Sequence, residues 1–400
     1  MEQPSKLRPT WVEIDLGALG RNFGRVRERV GSRRVWCVVK ANAYGHGAVE
    51  CARRLQEAGA EAFAVATVEE GVELREAGIG GRVVVLAGIE PVGTEAARAA
   101  AGLVVRHELD VAVWRPEAAA ELGAAARQAG VQPVRVHLKT DTGMGRLGVT
   151  VDEDVAAVLE TLRAIAAVEG VRPEGLFSNL AAADAPEGEH GHEHTGVQVE
   201  RFARLCEALD EAGLLPPERH LSNSAALLRH DGAWRPDWCN GVRPGLSLYG
   251  VASFPGEVTI VLEPVMSWHS AIAAVRAVPA GWPLGYGAER RAAHDCEIAV
   301  VPVGYHDGFP RALSDRGEVL IGDRRARIVG AISMDLTLVD ITGMPAAREG
   351  SAVTLLGVAP GGAGGAIDAN ELADRAGTIA HEILSRVGAR VPRRFTDSGS

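Results

Sequence analysis

The chain has 400 residues, 46% apolar and 24% charged, a composition able to bury two ordinary globular cores. A formal charge of −10 speaks against the clustered basic surface that a nucleic-acid partner requires. Five scattered cysteines with no CxxC pair give neither a disulfide framework nor a zinc signature, and with no 18-residue apolar run and no N-terminal h-region the expectation is a cytoplasmic protein without a membrane partner or a metal.

In chain order, "WVEIDL" reads as a strand and "LGALGRNFGRVRERV" as a helix, because Leu16, Leu19, Phe23, Val26 and Val30 step by three and four. A repeating pattern follows, in which a short β-branched run ends near glycine or a small polar residue and a helical stretch comes next. The runs are "RVWCVVK" (34–40), "AFAVAT" (62–67), "RVVVLAG" (82–88), "LVVRH" (103–107), "VRVHLKT" (134–140), "EGLFSN" (174–179), "HLSNSAA" (220–226) and "GVRPGLSLYG" (241–250). Apolar runs without strict alternation suit strands covered on both faces. Thr67 and Glu70 have capping-box spacing ahead of one helix, which closes at Gly78, and Thr150 and Glu153 repeat that logic for a helix reaching Gly170. The third and fourth runs are joined by a short, poorly marked connection. Between the sixth run and its helix, "APEGEHGHEHTG" reads as a solvated loop despite His190, His192 and His194.

Eight strands alternating with helices over about 250 residues predict an α/β fold, a parallel (β/α)8 barrel. An open doubly wound sheet would want G-x-G-x-x-G after the first strand, and "KANAYGHG" lacks that spacing. Beyond Phe254 the texture changes to strands joined by turns such as "IGDR", which predicts a mainly antiparallel β domain. A glycine-rich loop, "APGGAGGAID", and one final helical segment, "DANELADRAGTIAHEILSRVG", complete it. The expected domains are a barrel over 11–254 and a β domain over 255–395, with the N-terminal strand 10–15 joining the second domain and 396–400 as a tail.

Barrel chemistry lies at the carboxyl ends of strands. Lys40, Lys139, Arg146, Asn179, Asn223, Ser224, Arg243, Gly245 and Leu246 fall there, a cationic and hydrogen-bonding set suited to an anionic ligand. A phosphate site together with a partly desolvated lysine suggests pyridoxal 5′-phosphate, since burial favours the neutral amine that condenses with an aldehyde. A lone lysine after an apolar run is ordinarily a surface residue, so the neighbouring motifs carry the weight.

Those motifs resemble the alanine racemase family along nearly the whole chain. "VVKANAYGHG" is similar to the family's cofactor motif, which implies that Lys40 carries pyridoxal 5′-phosphate and that Tyr44 contacts its phosphate. "VHLKTDTGMGRLG" resembles a second block, implying possible carbamylation of Lys139 and placing Arg146 on the cofactor phenolate and the substrate carboxylate. "SNSAA" puts Ser224 on the phosphate, and "GVRPGLSLYG" puts Arg243 on the pyridine nitrogen with Gly245 and Leu246 offering backbone N–H groups. In the second domain "LGYGA" supplies Tyr286, "PVGYHDGF" supplies Tyr305, and "ISMD" supplies Met334 and Asp335 for the substrate.

The resemblance implies a fold-type III enzyme that interconverts L- and D-alanine with two bases, Lys40 on one face of Cα and Tyr286 on the other. It implies a homodimer in which the neighbour lends that tyrosine, and a role in supplying D-alanine for peptidoglycan. Two positions depart from the pattern. Asn179 stands where the family usually has a histidine bonded to the pyridine-facing arginine, and His381 occupies a common tyrosine position at the phosphate. Both bear on how strictly alanine is preferred. The competing readings are a broad-specificity or serine racemase, a decarboxylase of related build (whose cysteine motif is missing here), and a non-catalytic pyridoxal-phosphate binding protein, which resembles a lone barrel.

Overall fold

The computed structural model describes residues 7–152, 154–254, 256, 258–288, 290–359 and 365–398. Two compact units emerge, one holding the described residues of 1–18, 44–47 and 263–400, the other those of 19–43 and 48–262. The first strand, β1 (Trp11–Asp15), lies in the smaller unit.

In the larger unit eight parallel strands close a ring. They are β2 (Arg34–Val38), β3 (Ala62–Val65), β4 (Arg82–Val85), β5 (Asp110–Val113), β6 (Val134–Asp141), then, past the two-residue β7 (Val149–Thr150), β8 (Val171–Phe177), β9 (Glu218–His220) and β10 (Gly241–Val242). Each pairs with the next around the barrel, β6 with β8 directly, and β10 returns to β2. The expected (β/α)8 barrel is present. Both faces of these strands are covered, so β3 and β5 are buried at every residue, which is why their sequences do not alternate. Leu19, Phe23, Val26 and Val30 of the helix Leu16–Val30 are buried as the periodicity required. The Thr67–Glu70 capping box heads the helix Val68–Glu76.

Four expectations need correction. The run Leu103–His107 is not the fourth strand. It is the end of the helix Glu95–Arg106 with its cap, and the strand is Asp110–Val113. The Ala-rich stretch before Val104 and Val105 carries the helix through them, with Ala97, Ala101 and Val104 buried at helical spacing. The helix expected from Thr150 starts only at Ala156, because Thr150 is taken into β7, while Glu153 lies outside the described residues. His190, His192 and His194 lie not in a loop but in the first turns of the helix His190–Glu211. The final segment is two helices, Ala369–Ala376 and Ala380–Ser385, separated at Gly377 in the left-handed conformation.

The smaller unit contains two sheets. One has the order β15–β14–β17–β11–β1–β19, with β18 on β17, formed from β11 (Met266–Ala271), β14 (Glu318–Ile321), β15 (Arg324–Arg327), β17 (Ala352–Val358), β18 (Ala366–Ile367) and β19 (Arg393–Thr396). The other joins β12 (Ala274–Val278), β13 (Cys296–Val301) and β16 (Thr337–Asp340). All pairings are antiparallel except β1 with β19. The β12–β13–β16 sheet buries Val278, Cys296 and Ile298 against Leu284 and Ala292. Among the described residues no helix is long and apolar enough to cross a membrane.

Candidate active site

Lys40 follows β2 and opens an unusual turn. Ala41, Asn42 and Ala43 have φ near +53° and ψ near +49°, and Tyr44 also has positive φ, a left-handed path that costs L-residues on the order of 1 kcal/mol each. Side chains hold it in place. Glu70 accepts the Ala41 N–H at 2.6 Å through one oxygen and the Ala66 N–H at 2.7 Å through the other, while Asn42 Oδ1 accepts the Ala48 N–H at 2.7 Å. The capping residue of one barrel helix thus also pins the lysine turn. Lys40 is half-buried, and burial first, then the Arg146 and Arg243 guanidiniums, push its amine below the ordinary lysine range against the pull of Glu70.

Lys139 lies near the end of β6, buried, with Nζ 5.1 Å from the centre of the Phe177 ring. Burial, then Arg146, Arg243 and Lys40, lower its pKa from 10.5 to about 8, with Asp141 opposing. Asp141 shapes the following loop. Its Oδ1 accepts from the Gly143 and Met144 backbones at 2.9 and 2.7 Å, and its Oδ2 from that of Arg146 at 2.9 Å. Burial raises this carboxyl, but those N–H groups outweigh it and hold the pKa below the usual value.

Arg243 is the buried centre of the group. Its Nη1 donates to His220 Nδ1 at 2.7 Å and to the His220 carbonyl at 2.6 Å, and its Nη2 to the Ser178 and Leu221 carbonyls at 2.6 and 3.1 Å. Asn179 Oδ1 stands 3.4 Å from Nη2, while the Asn179 amide nitrogen points to Met144 Sδ and the Leu180 carbonyl, each at 3.2 Å. Among the described residues Nε–H of Arg243 has no acceptor. Burial lowers this guanidinium to about 10. Close by in the fold, Ser224 Oγ gathers the Gly245 N–H at 2.8 Å and the Ser247 N–H and Oγ at 3.2 Å, with Leu246 buried between. The larger unit therefore brings together Lys40, Lys139, Arg146 and Arg243, and separately Ser224 with Gly245.

The remaining candidates lie in the smaller unit. Tyr44 and His381 face each other with ring centres 5.9 Å apart, and burial pushes the Tyr44 phenol up to about 12. Tyr305 and Met334 are neighbours through the backbone, since the Tyr305 N–H donates to the Ser333 carbonyl and the His306 N–H to that of Met334. Asp335 pairs with Arg390 at 2.8 Å, and Arg390 also holds the fully buried Asp307 at 2.6 Å. Tyr286 stands on a short turn, Tyr286–Ala288, and is 77% exposed.

Sequence reasoning missed Ser247, which sits inside the quoted "GVRPGLSLYG", and the support behind Arg243. That support is His220, then His137 at 3.1 Å, then Asp110 at 3.4 Å, all fully buried. Polar residues inside otherwise apolar strands were the available signal.

Comparison with known proteins gives one consistent result. The family described as "Alanine racemase, N-terminal domain" matches residues 14–253, and "Alanine racemase, C-terminal domain" matches 265–395. A protein of Citrifermentans bemidjiense named alanine racemase is 41% identical over 392 residues, covering 97% of this chain and 98% of its own. One of Halothermothrix orenii with the same name is 37% identical over 390 residues, 97% of each. Among solved structures, alanine racemase from Streptomyces lavendulae superposes with a TM-score of 0.87 at 36% identity, covering 100% of this chain and 99% of its own.

Proposed function

The chain belongs to the alanine racemase family and is an amino-acid racemase, and from that premise we propose that Lys40 and Tyr286 are its two bases in the interconversion of L- and D-alanine. The observation that carries the reading is the Lys40 amine, pushed toward its neutral form by burial and two guanidiniums at the end of a barrel strand.

The donor set fits pyridoxal 5′-phosphate. Arg243 keeps one N–H direction, Nε, for the ring nitrogen. Ser224 Oγ accepts from Gly245 and Ser247 and so keeps its own O–H to donate to the phosphate. The Leu246 N–H, and the Gly245 N–H turned from Ser224, would be further neutral donors. Arg146 would hold the phenolate, and Tyr44, Asn179 and His381 complete the proposed cofactor contacts. When bound, the cofactor supplies the electron sink that makes Cα–H acidic.

Lys40 Nζ then takes or returns the Cα proton on one face and Tyr286 Oη on the other, each alternately acid and base. Arg243 keeps its proton in either direction, because a guanidinium does not give it up near neutrality. Arg146 orients the substrate carboxylate, with Met334, Asp335 and Tyr305 bounding the substrate. A Tyr286 ring left 77% exposed supports its use by a second copy in a homodimer. Lys139, lowered to about 8, keeps a larger share of the neutral amine that carbamylation requires than an ordinary lysine does. Five free, buried cysteines suit a reducing cytoplasm, where D-alanine would serve peptidoglycan synthesis.

The decisive measurement is exchange of the alanine α-hydrogen in D2O by cofactor-loaded protein, with both enantiomers formed. Lys40→Ala should abolish the exchange, together with the borohydride-sensitive absorbance of the bound cofactor. Cofactor binding without exchange in the unmutated protein would overturn the reading.

A further inference from the structure

We propose that Asp110, His137 and His220 form a one-way chain of hydrogen bonds through the barrel interior that holds the Arg243 guanidinium in position, which makes them positioning residues for the racemase proposed above. The chain starts at the first residue of β5, crosses the middle of β6, reaches the last residue of β9 and ends on Arg243, just after β10. It thus runs from the amino ends of the strands to their carboxyl ends.

Its direction follows from elementary valence. A guanidinium can only donate, so His220 Nδ1, 2.7 Å from Arg243 Nη1, must carry a lone pair. The single hydrogen of a neutral His220 is then on Nε2, which faces His137 Nδ1 at 3.1 Å and donates to it. His137 must in turn hold its hydrogen on Nε2, which faces Asp110 Oδ2 at 3.4 Å. Arg82 Nη2, 3.3 Å from the same nitrogen, is a second donor there and makes no bond to it; its own acceptor is Asp110 Oδ2 at 2.5 Å. Reversing any link would set two N–H groups against each other.

The surroundings hold this arrangement. Asp110, His137 and His220 are all 0% exposed. Phe177 stacks on His220 with ring centres 5.1 Å apart and planes at 7°, and Trp36 meets His137 edge-on at 5.3 Å. Gly175 leaves room for the His137 ring, because a Cβ there would lie 2.0 Å from Nδ1. Burial, then Arg243, keep His220 well below the ordinary histidine range, in keeping with a neutral ring. Burial raises the Asp110 carboxyl, but the His137 hydrogen bond with Arg82 and Arg135 outweighs it and holds the pKa at about 2. Arg82 continues to Glu218 at 3.1 Å and Glu174 at 3.4 Å, and Arg34 to Glu218 at 2.9 Å, so every charge facing the chain's lower end is paired. A fixed anion at one end and a fixed cation at the other leave the two rings a single hydrogen arrangement.

The test reads the imidazole nitrogens directly, by 15N NMR of histidine-labelled protein with and without pyridoxal 5′-phosphate. His137 and His220 are each expected to be neutral with hydrogen on Nε2 at neutral pH. A hydrogen on Nδ1, or a doubly protonated ring, at either residue overturns the chain. This arm requires no turnover, so it stands or falls separately from the racemase reading, and it survives a variant that fails to fold. In the loaded enzyme, Asp110→Asn should move His137 toward the Nδ1–H form, lower kcat about tenfold at little-changed KM, and raise the ratio of transamination to racemisation. Arg235→Gln, at a surface ion pair with Asp231 outside this network, should leave tautomers and that ratio unchanged. Asp110→Asn altering stability alone, or Arg235→Gln shifting the ratio equally, would overturn the positioning role.

Discussion

Lys139 shows how burial sets charge at a single residue. Its amine is held at about 8 against 10.5 for the free group, so between those pH values the unfolded chain keeps a proton that the folded chain has released. Stability therefore rises with pH through that window, by about 3 kcal/mol in total, and the full penalty applies below pH 8. Lys139→Met should then be more stable than the unmutated, cofactor-free protein at pH 7 by about 2 kcal/mol, with the gap closing toward pH 10, as followed by urea unfolding. A carbamate on Lys139 would put a negative charge among Arg146, Arg243 and Lys40, the cations that now oppose its ammonium. Bicarbonate at pH 8 is accordingly expected to stabilise the unmutated protein and to leave Lys139→Met unaffected. Equal response in both would exclude the carbamate.

At the scale of elements, the turn after β2 depends on contacts remote in sequence. Gly45 has φ +84°, and a Cβ there would come within 2.2 Å of the Leu384 carbonyl, at the end of the helix that bears His381. Gly45→Ala should cost about 3 kcal/mol or more in thermal or denaturant unfolding and weaken cofactor binding. Gly47→Ala is the milder comparison: its φ of +104° strains an alanine too, but its Cβ would meet the Phe395 side chain and no backbone atom. The glycines in "KANAYGHG" made a turn legible in the sequence. The left-handed path through Ala41, Asn42, Ala43 and Tyr44 was not, because local preference opposes it and Glu70, 29 residues from Ala41, enforces it. The same tension explains Leu103–His107, where β-branched residues suggested a strand and a preceding alanine run imposed a helix. Site candidates at strand ends were readable because the strand-then-loop rhythm marks those ends. Asp110, His137 and His220 each stand out as a polar residue in an apolar strand, but their union was not readable, since nothing adjacent in sequence links them. They meet only when β5 pairs with β6, and β8 comes to lie between β6 and β9.

At the scale of the whole molecule, the proposed homodimer would let one copy complete the other's site. The smaller unit exposes Trp282 at 54%, Tyr286 at 77%, Met334 at 51% and Leu336 at 44%, a set of large apolar side chains more typical of a surface that a partner covers. If a second copy covers it and lends Tyr286, the two proposed bases belong to different chains, and mixing inactive variants distinguishes the arrangements. Lys40→Ala carries a sound tyrosine and Tyr286→Phe a sound lysine. In a mixed dimer one site draws the intact lysine from the second variant and the intact tyrosine from the first, while the other site has neither. Random re-association of equal amounts makes half the dimers mixed, each with one working site of two, so about a quarter of the unmutated activity should return. If each chain instead supplied both bases to its own site, every site in the mixture would lack one of them and no activity would return. The recovered fraction, measured after unfolding and refolding the two variants together, therefore reads the subunit origin of Tyr286 without a structure of the dimer.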